Sequence, residues 1–222
     1  MNFAFNLLVR PFPGMELLSK FLGHWLASRR TTKQLVALVL ANPESGFVKE
    51  KMLSLLPYWH FRSGDAVLFT FFGYVDSGDV LSERKELAAS DFRIDLFVKA
   101  IEEIEAATSI QYTGRTMLVL TVAELRGSEI YFDYDWVLDF DIEGLINDGA
   151  ISDVRVLFED VIRLAKAHPA DDALWAITDD ISDEGKHEAF MGVAEHYVPF
   201  LKSARKVAQA HTQFRVRNRN RR

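Results

Sequence analysis

The chain has 222 residues, 49% apolar and 26% charged, with a formal net charge of −6 and no cysteine. That length can bury a sizeable core in one large or two small domains, and the composition is that of an ordinary soluble globular protein. The missing cysteine excludes disulfides, thiolate metal sites, iron–sulfur clusters and thiol catalysis.

Phe3 to Val9 is apolar, but Arg10, Pro11 and Pro13 follow it without a small-residue cleavage site. The expectation is a cytoplasmic chain with no targeting signal. No window reaches the roughly 20 apolar residues of a membrane-spanning helix, so no membrane contact is expected.

After a turn at Pro11–Gly14, Met15, Leu18, Leu22 and Trp25 recur at helical spacing and predict an amphipathic first helix. Leu35 to Leu40 is a short, nearly unbroken apolar run, the pattern of a strand buried on both faces. Val48, Met52, Leu55, Leu56 and Trp59 then mark one stripe of a helix over Glu44 to Trp59. Ala66 to Tyr74 is the most hydrophobic stretch of the chain and predicts a central strand. Ser90–Asp91 offers an N-cap to a second helix whose buried face would be Ile94, Phe97, Val98, Ile101 and Ile104.

Met117 to Val122 predicts a third strand, and Arg126–Gly127 a turn into a fourth. Along that fourth strand Ile130, Phe132, Tyr134, Trp136, Leu138 and Phe140 alternate with Asp133, Asp135, Asp139 and Asp141. One apolar and one acidic face follow from strict alternation. Ser152 is the expected cap of a helix with Val154, Leu157, Val161 and Leu164 inward, ending before His168–Pro169. An acidic linker and a C-terminal helix over about 185–210 would follow. The expected division is an N-terminal helical lead (1–32), an α/β domain (33–168), the linker and C-terminal helix (169–210) and a basic arm (211–222).

The order strand, helix, strand, helix, strand, strand, helix, with a helix in front, resembles the thioredoxin-like fold over residues 33–168. The segment Tyr112-Thr113-Gly114-Arg115-Thr116 entering a strand is part of that resemblance. The resemblance implies an α/β fold with a βαβαββα core, an N-terminal helix and a C-terminal helical extension. In thioredoxins the loop after the first strand of this unit carries Cys-x-x-Cys, where this chain has Asn42-Pro43-Glu44-Ser45-Gly46. The family's cis-proline is replaced by Arg115 or Thr116. The resemblance therefore implies a fold and no redox activity or cofactor.

Three groups of residues could carry chemistry. Tyr58-Trp59-His60-Phe61-Arg62-Ser63-Gly64-Asp65 offers stacking rings, an anion clamp in Arg62 and a proton carrier in His60. Catalytic candidates are therefore His60, Arg62 and Asp65; the bland alternative is aromatic residues closing the core and an Arg62–Asp65 pair across a turn. The aspartates of the fourth strand could hold Mg²⁺ or Ca²⁺, but a solvated sheet face explains them more simply, and no metal is expected. His187 and His196 are nine residues apart on the C-terminal helix, a spacing that separates them instead of pairing them on a metal.

The strongest asymmetry is the C-terminus. From Lys202 to Arg222 there are eight basic residues and no acidic one, which leaves −14 for the preceding 201 residues. Arg215, Arg217, Arg219, Arg221 and Arg222 form an arm in which arginines would line one side when extended. Its partner is nucleic acid, another protein or copy, or the acidic body itself, with the aspartate strand the favoured place if it folds back; the bland alternative is a disordered solubilising tail without a partner. Deleting the arm should then barely change thermal stability. The functional expectation is a non-catalytic binding or assembly subunit of a bacterial complex, with phage defence among the settings that fit. A nucleic-acid accessory protein and a small hydrolase or transferase are the alternatives.

Overall fold

A computed structural model describes residues 9–12, 14–75, 91–108, 110–134, 136–149, 151–168, 170, 173 and 214–218. Most of the predicted linker and all of the predicted C-terminal helix, with His187 and His196, lie outside the described residues. So do Ser90, Asp135, Arg219, Arg221 and Arg222.

The continuous apolar runs become the centre of one mixed sheet. Strand β1 spans Val9–Phe12, helix α1 Met15–Arg29 and strand β2 Lys33–Leu40. Helix α2 covers Leu56–Ser63 and strand β3 Val67–Phe72. Helix α3 follows at Ile94–Ala107, then β4 at Met117–Arg126, β5 at Glu129–Phe132 and β6 at Trp136–Asp141. Helices α4 (Ile142–Asn147) and α5 (Val154–Ala167) come next, and β7 (Phe214–Asn218) closes the order. The seven strands run β1-β3-β2-β4-β6-β7, with β5 also paired to β4. Strands β1, β3 and β2 are parallel; β4 is antiparallel to β2, and β6 to β4.

Because β2 and β3 are buried on both faces, each face needs its own cover. On one, Leu35, Ala37, Phe69, Leu120, Leu138 and Phe140 pack under α2, α4 and α5. On the other, Val36, Leu38, Leu68, Phe72, Val119 and Val137 pack under α1 and α3. The layers are helix, sheet, helix. Among the described residues no helix is long and apolar enough to cross a membrane.

Several local expectations are corrected. The residues placed before and in the first turn form β1, parallel to β3 with Pro11 beside Phe71; an edge strand tolerates a residue without an N–H. The stripe from Val48 is helical but irregular, with a π turn over Val48–Met52 and a 3₁₀ turn over Leu53–Leu55. Pro57 sits in the first turn of α2 and cannot donate to the turn before it, which breaks regular winding there. On α3 the buried face is Phe97, Ala100, Ile101 and Ile104, whereas Ile94 and Val98 are exposed. That helix begins after Arg93 without a side-chain cap. For α5 the cap is Asp153, not Ser152: its carboxylate accepts the Arg155 N–H at 2.8 Å.

The largest correction is the alternating strand. It is two strands separated by a bulge: β4 pairs Ala123 with Phe132 but Leu120 with Leu138. Two residues of β4, Thr121 and Val122, thus face the five residues 133–137. The Asp133 N–H bonds the Val122 carbonyl at 2.8 Å, and the Thr121 hydroxyl bonds the Asp133 carbonyl at 2.9 Å. An odd number of extra residues exchanges the faces. Ile130 and Phe132 consequently pack on the α1 side, and Leu138 and Phe140 on the α5 side. Asp139, opposite Val119 and only slightly exposed, is buried on the α1 side, so the described aspartates do not form one solvated face.

Candidate functional site

The helix end before β3 holds the first set of candidates. Trp59 is fully buried and stacks on Phe158 at 4.1 Å between centroids, with Phe69 on the other partner's ring at 4.8 Å. It belongs to the core. Phe61, by contrast, is 83% exposed. Arg62 reaches α5, where its Nη2 donates to Glu159 Oε2 at 2.7 Å and its Nε to both carboxylate oxygens at 3.2 Å. The Arg62 bonds hold the Glu159 carboxyl below its ordinary range against the opposing effect of burial, and a Tyr58 hydrogen bond adds to them. Asp65 instead pairs with Arg29, whose guanidinium lies 4.6 Å over the Trp25 ring. The expected Arg62–Asp65 pair across the turn is therefore replaced by two pairs to different helices. His60 is on α2 too, with its side chain outside the described residues. The three candidates are not gathered around one point by the described contacts.

At the opposite end of β2 and β3, the loop that follows β2 closes on itself. Asn42 Oδ1 accepts the Glu44 N–H at 2.9 Å, and the Ser45 N–H bonds the Asn42 carbonyl at 3.0 Å. Beside it, Glu143 Oε1 accepts both the Thr116 N–H at 2.9 Å and the Thr116 hydroxyl at 2.5 Å. Arg115 Nη1 donates to Asp141 Oδ2 at 3.1 Å, and Asp141 Oδ1 caps α4 by accepting the Gly144 N–H at 2.9 Å. A Cβ at Gly144 would stand 2.7 Å from the Asp141 carboxylate, so a side chain there would displace the cap. Burial, helped by the Glu143 charge, pushes the Tyr112 hydroxyl up to about 12. It stays protonated at neutral pH and can donate a hydrogen bond but not act as a base. No group of three or more metal-ligating side chains occurs among the described residues.

The third place is the sheet edge. Strand β7 is the described part of the arm: it runs antiparallel to β6 and joins the sheet through that strand. The register sets Phe214 opposite Phe140, Arg215 opposite Asp139, Val216 opposite Leu138, Arg217 opposite Val137 and Asn218 opposite Trp136. Phe140 and Leu138 are core residues of the α5 side, so the apolar positions of the arm fall beside them. Arg215 and Arg217 occupy the alternate positions, on the face that carries Asp139 and Asp141. Asp139 is only 6% exposed. A carboxylate so little hydrated gains more from a neighbouring cation than one in open water. Sequence reading favoured docking on the aspartate face if the arm folds back, whereas the register adds the described part of the arm as a strand at the edge. The alternation Phe-Arg-Val-Arg is the local signal that could have found it.

Comparison with known proteins returns no matching family model, no matching curated protein and no matching solved structure.

Proposed function

We propose that the chain is a non-catalytic binding or assembly subunit, a thioredoxin-like scaffold without redox chemistry whose basic arm is its docking element. Support for the scaffold comes from the order β3-β2-β4-β6, with β2 and β3 parallel and β4 and β6 antiparallel. Helices lie on both faces, and β1 with α1 stands in front. The same unit without cysteine has no thiol with which to perform the family's reaction. The polar side chains around the redox loop position are committed to capping and to one another.

One observation carries the docking role: the arm forms a strand on β6, with its arginines on the aspartate-bearing face. Main-chain pairing along an edge supplies affinity, and alternate side chains supply specificity. An acidic body of −14 repels a polyanion, which favours a protein ligand over nucleic acid.

The test is size-exclusion chromatography with light scattering and absorbance at 260 and 280 nm. It compares full-length protein from cells that make it naturally with the Arg215→Glu/Arg217→Glu variant. A species above monomer mass, without excess 260 nm absorbance and lost in the variant, is expected. A 260 nm excess removed by salt would shift the reading to nucleic acid, and a monomer in both cases would overturn the docking role.

A further inference from the structure

We propose that β6 is a strand-accepting edge whose partner is a second copy of this chain, the two copies exchanging their arms. The inference rests on the docking role given above and names the partner.

The specificity of the edge is written in its register. A strand that fits β6 must run antiparallel, set bulky apolar residues beside Leu138 and Phe140, and set cations on the face of Asp139 and Asp141. A slip of one residue would bring arginines opposite Leu138 and Phe140 and apolar residues opposite Val137 and Asp139. The ligand is therefore an extended segment in which arginine alternates with large apolar residues, and every copy of the chain carries one.

Chain length permits delivery in trans. Residues 174–213 separate Ala173 from β7, and a stretch of that size spans up to ~130 Å when extended. Its length does not bind an arm to its own β6. Exchange would preserve each β6–β7 residue pair and leave β1 to β6 and their helices as they are, so it costs association without costing core. Charge works in the same direction, since the +8 tail of one copy meets the −14 body of the other. Pairing within one chain does not depend on dilution, whereas pairing between copies grows with protein concentration. The arm therefore stays at home in dilute protein and crosses over when copies are brought together.

The absence of cysteine makes the test clean. Full-length Val137→Cys with one affinity tag is mixed with full-length Arg217→Cys carrying another. The two are refolded together and oxidised at about 10 μM and about 1 mM, because pairing between copies, unlike pairing within one, depends on protein concentration. Directly opposed residues of an antiparallel pair lie ~4.5–5.5 Å apart at Cα, within disulfide range. A double variant carrying both cysteines in one chain is oxidised in parallel. Replacing Val137 with cysteine keeps a small apolar side chain at that buried place.

The expected result is a mixed-tag disulfide dimer, at least about tenfold more abundant at the higher concentration. Adding Arg215→Glu to the arm-bearing chain should reduce it severalfold. If the double variant closes its disulfide within one chain while mixed dimers stay at collision background, exchange is overturned and the arm's docking on β6 stands. If neither disulfide forms, the β6–β7 pairing fails, and the docking role fails with it.

Discussion

Trp59 sits between a helix and the sheet as a packing residue. Its ring stacks on Phe158, and its indole N–H has no hydrogen-bond partner among the described residues. Removing the ring should therefore cost packing and little else. Trp59→Ala is expected to lower the unfolding free energy by about 3–5 kcal/mol, and Trp59→Phe by less than about 1.5 kcal/mol, both read from urea titrations. The neighbouring Arg62–Glu159 pair behaves differently because it is exposed at the arginine end. The Glu159 carboxyl titrates below its ordinary range when folded, mainly through its Arg62 hydrogen bonds. Its contribution is thus present above the unfolded value and is lost as pH falls through the folded one. Urea midpoints of the wild type and Arg62→Ala should differ slightly at neutral pH and converge as the carboxyl protonates. A difference that grows in acid would contradict the pair.

At the scale of elements, the arm is a working part of the sheet. Proline has no N–H and fits no strand interior, so Val216→Pro should detach β7 and uncover the β6 edge. Cross-strand pairs contribute roughly 0.2–1 kcal/mol each, so a loss of about 1–3 kcal/mol is expected from thermal or urea unfolding. This revises the expectation that removing the arm leaves stability nearly unchanged. The elements legible in the sequence were those specified by their own residues. Unbroken apolar runs gave β2 and β3, helical periodicity gave α1 and α5, and Gly127 gave the turn between β4 and β5. Strand β1 was missed because its reason for being a strand is β3, nearly sixty residues away. The bulge at 133–135 was missed because its odd count shows only against β4. Irregular winding ahead of Pro57 overrode a stripe that looked regular. The same limit applies to the site: Asp139 and Arg215 were each visible as charged residues, while their juxtaposition is set by pairing across the fold.

At the scale of the whole molecule, the described strand path from β1 to β7 ends in two strands that are treated differently. One edge is β1, short and interrupted by a proline; the other is β7, whose positions alternate apolar and arginine. Unpaired edges invite pairing with other chains, and proline and charge are two ways of limiting it. Here the charged edge is also the part with a defined complement, the acidic face of β6. Its long separation in sequence from α5 lets it leave without disturbing the layers that bury β2 and β3. The central claim is that this arm is a strand on β6, and amide hydrogen exchange on the full-length protein tests it most directly. Slowed exchange is expected both over Phe214–Asn218 and along Trp136–Asp141, with β6 protection falling in Val216→Pro while β2 and β3 remain protected. Arm amides exchanging at the rate of a free peptide, with β6 unaffected by the proline, would contradict the account.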